Sequence, residues 1–125
     1  MKILVYGSKN FGDYPTFMRG VVVAIEENLH KNGYQEKHIK ILTAGPRRIN
    51  GYTAEFINRS EDMFRQKKIW TKFARAKYQD VLENLETYNF DHIVSFNSKS
   101  DPDKNHDALI RKAEQLKIPA SFYRY

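Results

Sequence analysis

The sequence predicts an α/β domain built on a single doubly wound, mostly parallel sheet of four to five strands with helices on both faces. Short apolar runs without polar alternation are typical of strands that are covered on both faces. Between them lie longer segments in which apolar residues recur every three or four positions, the spacing of amphipathic helices. Glycine, proline and asparagine mark the turns, so strands and helices alternate along the chain.

Length and composition indicate one folded domain, residues 1–125. Apolar residues make up 41% of the chain, which is enough for a hydrophobic core. The sequence contains no cysteine, so disulfides and thiolate metal sites are excluded and a reducing, cytoplasmic compartment is favoured. No apolar run approaches the roughly 20 residues that span a bilayer, and we expect no association with membranes.

The first strand is predicted at residues 3–5 and ends at Gly7, where the backbone can turn tightly. A polar loop follows, and Asp13 is a good capping residue for a helix over residues 15–32. Gly20 lies inside that helix and costs about 1 kcal/mol of helix propensity relative to alanine. It marks either a close approach of helix and strand or a tolerated glycine.

The second strand is predicted at residues 39–44, followed by a loop at residues 45–51. Asn50 or Thr53 is the expected cap of the next helix. Since one helix joins the first two strands, they should be parallel and connected by a right-handed crossover.

In the second half of the chain, residues 68–73 fit a short strand, with a continued helix as the alternative. Apolar spacing then predicts a helix over residues 75–88. A strand over residues 91–97 and a helix that contains residues 108–116 come next. The last strand is predicted at residues 118–123.

Three loops should meet at one edge of the sheet, because parallel strands place their carboxyl ends together. They comprise residues 7–13, 45–51 and 97–104. The first joins a strand to a helix through a glycine-bearing turn, where free amides and the helix dipole can hold an anion. The candidate ligand residues are Gly7, Ser8, Lys9, Asn10, Phe11, Asp13, Gly45, Arg47, Arg48, Gly51, Asn97 and Ser98.

The expected roles of these residues follow from their chemistry. Gly7 and Gly45 would let the backbone approach a ligand, while Ser8 and the amides near Asp13 would donate to phosphate oxygens. The lysine and the two arginines of the set would supply positive charge. For Phe11, packing in the core is the alternative to stacking on a base. We therefore predict a nucleotide or a nucleotide-derived ligand.

The segment Gly7-Ser8-Lys9-Asn10-Phe11, followed by Asp13, resembles the opening motif of the small YpsA-related members of the SLOG group of Rossmann-like domains. In those members the motif is Gly-Ser-Arg-Asp-Phe, so lysine and asparagine stand here for arginine and aspartate. Residues 45–51 resemble a degraded form of the second glycine loop of the group. The closing segments, residues 91–96 and 117–119, are also similar. The resemblance implies a Rossmann-like fold over nearly the full length.

The resemblance does not extend to catalysis. Phosphoribohydrolases of the same group carry a Pro-Gly-Gly-x-Gly-Thr-x-x-Glu segment that serves glycosidic cleavage, and residues 97–104 contain nothing similar. Asp101 and Asp103 have a spacing that suggests a metal, but an Asp-Pro-Asp loop before a helix more often serves as turn and cap. No catalytic residue, metal or certain cofactor is predicted. A sensor or sequestering protein is favoured, and a nucleoside-monophosphate phosphoribohydrolase-like enzyme is a weaker alternative.

Positive charge is concentrated in residues 65–77, a window without acidic residues in a chain of net charge +6. With its aromatic residues, this basic patch suits a single-stranded nucleic acid or an acidic protein. A solvated cationic surface is the alternative. The patch therefore supports a second hypothesis, in which the protein is a basic accessory module that binds nucleic acid or protein. One form of this hypothesis is a viral or mobile-element protein that acts on a host factor. Apolar helix residues also leave room for a homodimer. The patch residues are Arg65, Lys67, Lys68, Trp70, Lys72, Phe73, Arg75 and Lys77.

Overall fold

The computed structural model describes residues 1–100 and 103–124 and contains one five-stranded sheet in which all neighbouring strands are parallel. The elements are β1 (Lys2–Gly7), α1 (Tyr14–Lys31), β2 (His38–Thr43), α2 (Arg47–Gln66), β3 (Trp70–Arg75), α3 (Tyr78–Glu83), α4 (Leu85–Tyr88), β4 (His92–Asn97), α5 (Lys104–Gln115) and β5 (Ala120–Arg124). The strand order is β3-β2-β1-β4-β5. This architecture confirms the predicted α/β, Rossmann-like fold.

Helices cover both faces of the sheet. On the first face, Ile3 and Val5 of β1 pack with apolar residues of α1 and α2. On the second face, Leu4 and Tyr6 pack with residues of α3, α4 and α5. Successive residues of a strand point to opposite faces, and all four of these side chains are buried. Burial on both sides explains why the first strand is an unbroken apolar run in the sequence.

Helix α1 begins and ends within a residue of its predicted bounds. Asp13 precedes it in an extended conformation, and Asp13 Oδ1 accepts a hydrogen bond from Thr16 N at 3.0 Å, which confirms the predicted cap. Gly20 faces the sheet: a Cβ at this position would lie 2.8 Å from Phe96 Cζ and 2.9 Å from Tyr123 Cε2. The interpretation of Gly20 as a close approach of helix and strand is therefore confirmed.

The loop predicted at residues 45–51 is shorter than expected. Helix α2 begins at Arg47, so a loop that extends to residue 51 is wrong and only residues 44–46 connect β2 to α2. Pro46 occupies the position before the helix with φ −68°, a value that the pyrrolidine ring fixes in advance. The proline thus starts the helix early.

Neither predicted cap of α2 serves as one. Asn50 Oδ1 accepts a hydrogen bond from Thr43 Oγ1 at 2.5 Å, and the Thr53 hydroxyl donates to Ile49 O at 2.9 Å. Both side chains lie within the helix and bond to the backbone or to β2, because the helix begins before them. The amino end of α2 has no side-chain cap.

The uncertain segment after α2 forms the edge strand β3, which confirms the strand alternative and rules out the continued helix. Helix α2 ends at Gln66, and Lys68 adopts φ +60°. A residue in the left-handed region does not continue a right-handed helix. The chain therefore leaves the helix at this turn and enters β3.

The single helix predicted over residues 75–88 is wrong, because the structure has α3 and α4 with an interruption at Asn84. Asn84 Nδ2 donates to Asp80 O at 2.9 Å. Asparagine side chains commonly compete with the backbone in this way, which weakens a helix interior. The two short helices begin at Tyr78, three residues later than predicted.

The remaining elements lie close to their predicted positions. Strand β4 agrees within one residue, and β5 is displaced by one or two residues towards the carboxyl end. Asp103 caps α5, since its Oδ1 accepts from Asn105 N at 2.8 Å, as the turn-and-cap interpretation predicts. Its suggested metal partner Asp101 lies outside the described residues. Within those residues, no helix is both long and apolar enough to cross a membrane.

Two histidines are buried at β4: His92 is its first residue, and His106 of α5 packs against it. His92 Nε2 lies 2.8 Å from Ser121 Oγ, and its Nδ1 lies 3.3 Å from Asn28 Nδ2. His106 Nδ1 lies 2.6 Å from Ser95 Oγ. Burial lowers the pKa of both imidazoles, because a buried site disfavours the charged form.

Replacing Gly20 and Gly51 by alanine should change stability in opposite directions. Both lie inside helices, where alanine is favoured by about 1 kcal/mol. A Cβ at Gly51 meets nothing within 4 Å, so Gly51→Ala should raise the free energy of unfolding by roughly that amount. At Gly20 the added methyl meets two rings, and overpacking should lower the free energy of unfolding by about 1–3 kcal/mol. Chemical denaturation measures both changes; a stabilising Gly20→Ala would contradict the packing of α1.

Stability should fall as the pH is lowered below about 6.5, the ordinary pKa of histidine in an unfolded chain. The folded pKa values of His92 and His106 are lowered, so the unfolded chain binds more protons in this range and is favoured. Stability from these groups is fully present above about pH 6.5 and is lost below it. Melting temperatures between pH 8 and pH 5 measure the effect.

The control for this pH dependence is an exposed histidine. The double variant His92→Gln/His106→Gln should show a shallower loss of melting temperature below pH 6.5 than the wild type, although its stability at pH 8 is lower. His30 is exposed on α1, and His30→Gln should retain the wild-type steepness. An unchanged steepness in the double variant would show that other groups cause the pH dependence.

Candidate functional site

A cleft of about 640 Å³ opens on the second face of the sheet, at the carboxyl ends of β1, β2 and β3. Its walls are the segments that follow these three strands and the start of α5. This volume lies within the range of about 300–1,000 Å³ that small-molecule sites occupy. The polar residues that line it include Tyr6, Lys9, Lys77, Tyr78, Asp103 and Asn105.

Two tyrosines, each with its hydroxyl group in a hydrogen bond to the start of α5, form one wall of the cleft. The Tyr6 hydroxyl donates to Asp103 Oδ2 at 2.7 Å, and the Tyr78 hydroxyl donates to Asn105 O at 2.6 Å. The two rings lie 5.2 Å apart between centroids, tilted by 52°. Asp103 is at the same time the cap of α5, so this contact fixes the end of β1 to the start of α5.

Both tyrosines keep their protons at neutral pH. Burial raises the pKa of Tyr78 to about 12, with a smaller contribution from the negative charge of Asp103. Burial also raises the pKa of Tyr6 well above its ordinary value, together with the hydrogen bond to Asp103. The hydroxyl groups are therefore hydrogen-bond donors in this wall, and neither tyrosine acts as a general base.

A further part of the cleft lining carries positive charge and leads into α2. Lys9 and Lys77 are exposed side chains of its lining. Gly45 and Pro46 also line it, and α2 begins immediately afterwards without a side-chain cap. The first amides of a helix have no partner within the helix and carry the positive end of its dipole. This side of the cleft thus favours an anionic group.

The predicted cations of the second loop lie at the amino end of α2. Arg47 and Arg48 are its first two residues, and both are exposed. A Cβ at Gly12 would overlap Nη1 of Arg48, so the Arg48 guanidinium lies against the turn that follows β1. The structure therefore brings the loop at residues 7–13 and the start of α2 together, as the sequence predicts.

Ser8 does not offer its amide to a ligand. Ser8 N donates to Phe96 O at 2.8 Å, and Ser8 Oγ accepts from Ser98 N at 3.1 Å. The residue is 1% exposed. The expected role of the Ser8 amide as a phosphate donor is therefore wrong, because β4 and the residue after it use both of its polar groups.

The start of α1 is also occupied by the protein itself. The Asp13 carboxylate accepts from Thr16 N at 3.0 Å, and Pro15 contributes no amide donor. An anion at this helix end would meet the carboxylate. The Thr16 amide is therefore not available for the expected donation to phosphate near Asp13. The core alternative for Phe11 is confirmed, since Phe11 is 1% exposed and its ring stacks on that of Phe96 with the centroids 5.0 Å apart.

The two glycines that were expected to let the backbone approach a ligand, Gly7 and Gly45, also pack closely against the protein itself. A Cβ at Gly7 would overlap the side chain of Ile49, and a Cβ at Gly45 would lie 3.2 Å from Gly7 N. These residues let β1 and the turn after β2 pack closely. Gly51 lies in the first turns of α2 and is exposed, and it does not line the cleft.

The third predicted loop contributes little to the cleft. Asn97 and Ser98 are buried at the end of β4 and line a separate cavity of about 120 Å³ with Lys99, Asp107 and Arg124. Asn97 Oδ1 is buried without a hydrogen-bond partner. Of the candidate ligand residues, Lys9 and Gly45 line the cleft; Asn10 is exposed beside Lys9.

The basic patch predicted over residues 65–77 is divided by the fold. Arg65 pairs with Glu61 at 2.5 Å on α2. On β3, alternate residues point to opposite faces, so Trp70 and Lys72 are separated from Phe73 and Arg75. The Arg75 guanidinium lies 5.6 Å from the centre of the Phe73 ring. Lys67 and Lys68 lie in the turn before β3, and Lys77 lines the cleft.

Sequence reasoning missed the tyrosine wall. Tyr6 and Asp103 are separated by almost the whole chain, and Tyr78 fits an apolar helix position as well as a site position. The alternation within β1 was the available signal, because it places Tyr6 on the face opposite to Gly7. Among residues 1–100 and 103–124, no group of three or more histidine, aspartate or glutamate residues could hold a metal ion.

Comparisons of the chain with protein-family models, with curated proteins and with solved structures found no significant match. The relationship to the SLOG group therefore stays a prediction from the motif that begins at Gly7.

Proposed function

We propose that the protein binds a nucleotide or a nucleotide-derived anion in the cleft at the carboxyl ends of β1, β2 and β3, as a cytoplasmic sensor or sequestering protein. The observation that carries the proposal is the make-up of this cleft. Its lining combines two lysines, the turn that leads into the uncapped amino end of α2, and the rings of two tyrosines. Such a combination suits a ligand with an anionic end and a flat, apolar end.

The phosphate end of the ligand is assigned to the side formed by α2. Amides at a helix amino end bind phosphate readily, and α2, which begins directly after Gly45 and Pro46 of the cleft lining, has no side-chain cap. Lys9 and Lys77 add charge from the turns after β1 and β3. Charge-assisted hydrogen bonds of this kind are about twice as strong as neutral ones.

The base or sugar end is assigned to the tyrosine wall. The hydroxyl groups of Tyr6 and Tyr78 are engaged with Asp103 and Asn105, so each ring is held in place before a ligand arrives. A preorganised wall loses little conformational entropy on binding. The partly exposed ring of Tyr78 provides stacking surface for a base, while the buried Tyr6 ring supports it from behind.

The same contacts favour binding over catalysis. The carboxylate in the lining, Asp103, accepts hydrogen bonds from the Tyr6 hydroxyl and from Asn105 N. A general base needs a free acceptor within reach of the substrate. The proposal is therefore a binding protein, and analysis of nucleoside monophosphates after incubation would reveal any hydrolysis.

Ligand binding should raise the melting temperature of the protein. The probes are ADP, cyclic AMP and ADP-ribose at millimolar concentration; a ligand at 100 times its dissociation constant adds about 2.7 kcal/mol of stability. For a domain of this size, each kcal/mol corresponds to roughly 2–8 °C. Lys9→Ala/Lys77→Ala should weaken binding at least about tenfold, because each charged hydrogen bond contributes about 1.5–3 kcal/mol.

The matched control is Lys31→Ala/Arg111→Ala, which removes the same charge from exposed positions on α1 and α5. It should keep the wild-type shift. Tyr78→Phe, which keeps the ring, should bind better than Tyr78→Ala. If none of the three probes at millimolar concentration raises the melting temperature by more than about 1–2 °C, the proposal is overturned, because such concentrations would saturate a site of micromolar affinity. So would an equal loss of binding in the control.

A further inference from the structure

The second face of the sheet is left open over the amino-terminal halves of β2 and β3. Helices α3 and α4, which cross this face, have six and four residues, and they pack against Leu4 and Leu42 near the middle of the sheet. On the uncovered part, His38, Lys40 and Lys72 are exposed, and Trp70 is 50% exposed. A large apolar side chain at an open sheet surface indicates an interaction site when charge surrounds it.

The parallel register places three lysines in one row across this surface. Lys2 of β1 pairs with Lys40 of β2, and Lys40 pairs with Lys72 of β3. Neighbouring strands lie about 4.8 Å apart, so like charges repeat at that spacing. Lys2 Nζ donates to Tyr88 O at 3.0 Å. Like charges directly opposite each other on a sheet are destabilising, and a polyanion that lies along the row would relieve their repulsion.

The nearby carboxylates do not neutralise this row. Glu36 accepts from the amino terminus at 3.1 Å and from His38 N. Asp91 accepts from the backbone amide of Lys2 at 2.8 Å. Both acids are therefore engaged at the rim by backbone groups, and the side chains of Lys40 and Lys72 are exposed.

An aromatic pair lies next to the lysine row on the same face. His38 pairs with Trp70 in the register, two residues before Lys40 and Lys72, and the two rings lie 6.0 Å apart between centroids. Successive residues on one face of a strand are about 6.6 Å apart, so the aromatic pair lies one such step from the lysine row. A half-exposed tryptophan offers a stacking platform that suits any base.

We propose that this open sheet face, formed by Lys2, His38, Lys40, Trp70 and Lys72, binds single-stranded nucleic acid. The lysines contact the phosphate backbone and Trp70 stacks on an unpaired base. A duplex cannot offer a base face to the tryptophan without unstacking, and an acidic protein would satisfy the lysines but leave the indole without a flat partner. The surface is separate from the cleft, since Lys40 and the cleft residue Ala44 are four residues apart along β2, about 13 Å. The inference therefore does not depend on the proposed nucleotide site.

Binding is tested with labelled twelve-residue oligo(U) and oligo(dT) by fluorescence anisotropy between 25 and 200 mM salt. The wild type should bind at low salt, with an affinity that falls as salt rises. Each phosphate contacted on a single strand contributes about 0.7 to the slope of log K against log salt. Lys40→Glu/Lys72→Glu should therefore lower this slope by about 1.4 or abolish binding. Comparing the two oligonucleotides distinguishes RNA from DNA, and tight binding of either one supports the proposal.

Two further variants separate stacking from charge. Trp70→Ala should weaken binding by about tenfold or more, because the stacking of one base is lost. The salt slope should not change, because the indole contacts no phosphate. Lys31→Glu/Arg111→Glu changes the net charge by the same amount at exposed positions on α1 and α5 and should retain wild-type binding. Circular dichroism and thermal melting are used to check that each variant is folded. The lysine variants should fold, because Lys40 and Lys72 are exposed.

Three results would overturn the proposal. The first is no binding of either oligonucleotide at 25 mM salt. The second is an equal loss of affinity in the control variant, which would mean attraction by net charge alone. The third is tighter binding of a twelve-base-pair duplex or of polyglutamate than of the single strands, which would assign the face to duplex nucleic acid or to an acidic protein.

Discussion

The hydrogen bonds that fasten the β1–α1 turn to β4 determine where this protein has room for a ligand. Strand order reverses between β1 and β4, the position at which doubly wound sheets usually bind ligands. Here Ser8 bonds to Phe96 O and to Ser98 N, and Phe11 stacks on Phe96. The usual crevice is therefore closed by side chains and backbone of the protein. The open cleft lies to one side of it, over the ends of β1, β2 and β3.

The elements that the sequence predicts well are those with local causes. The apolar run of β1, the Asp13 cap and the contact of Gly20 depend on residue type and short-range periodicity, and each lies where it was expected. The errors arise from features that a hydrophobic pattern does not contain. Pro46 starts α2 early, and the side chain of Asn84 divides a helix whose apolar spacing is continuous.

The position of the candidate cleft follows from the topology of the sheet, whereas most of its lining does not follow from the sequence. Parallel topology alone places the three loops at one edge of the sheet, and Lys9 and Gly45 do line the cleft. The role of Ser8 was wrong because its partner Ser98 lies near the other end of the sequence. The Tyr6–Asp103 contact was missed for the same reason. Both pairs depend on the register of β1 against β4, which no single-sequence pattern specifies.

The central place of β1 has a consequence for synthesis of the protein. This strand is made well before β4, yet one of its two hydrogen-bonding edges pairs with β4. At translation rates of about 5–20 residues per second, that edge lacks its partner for roughly 5 to 20 seconds. An apolar strand with an unpaired edge is prone to join other chains. Prompt docking of α1 onto the nascent β1–β2 pair would shield one face of the strand during this interval.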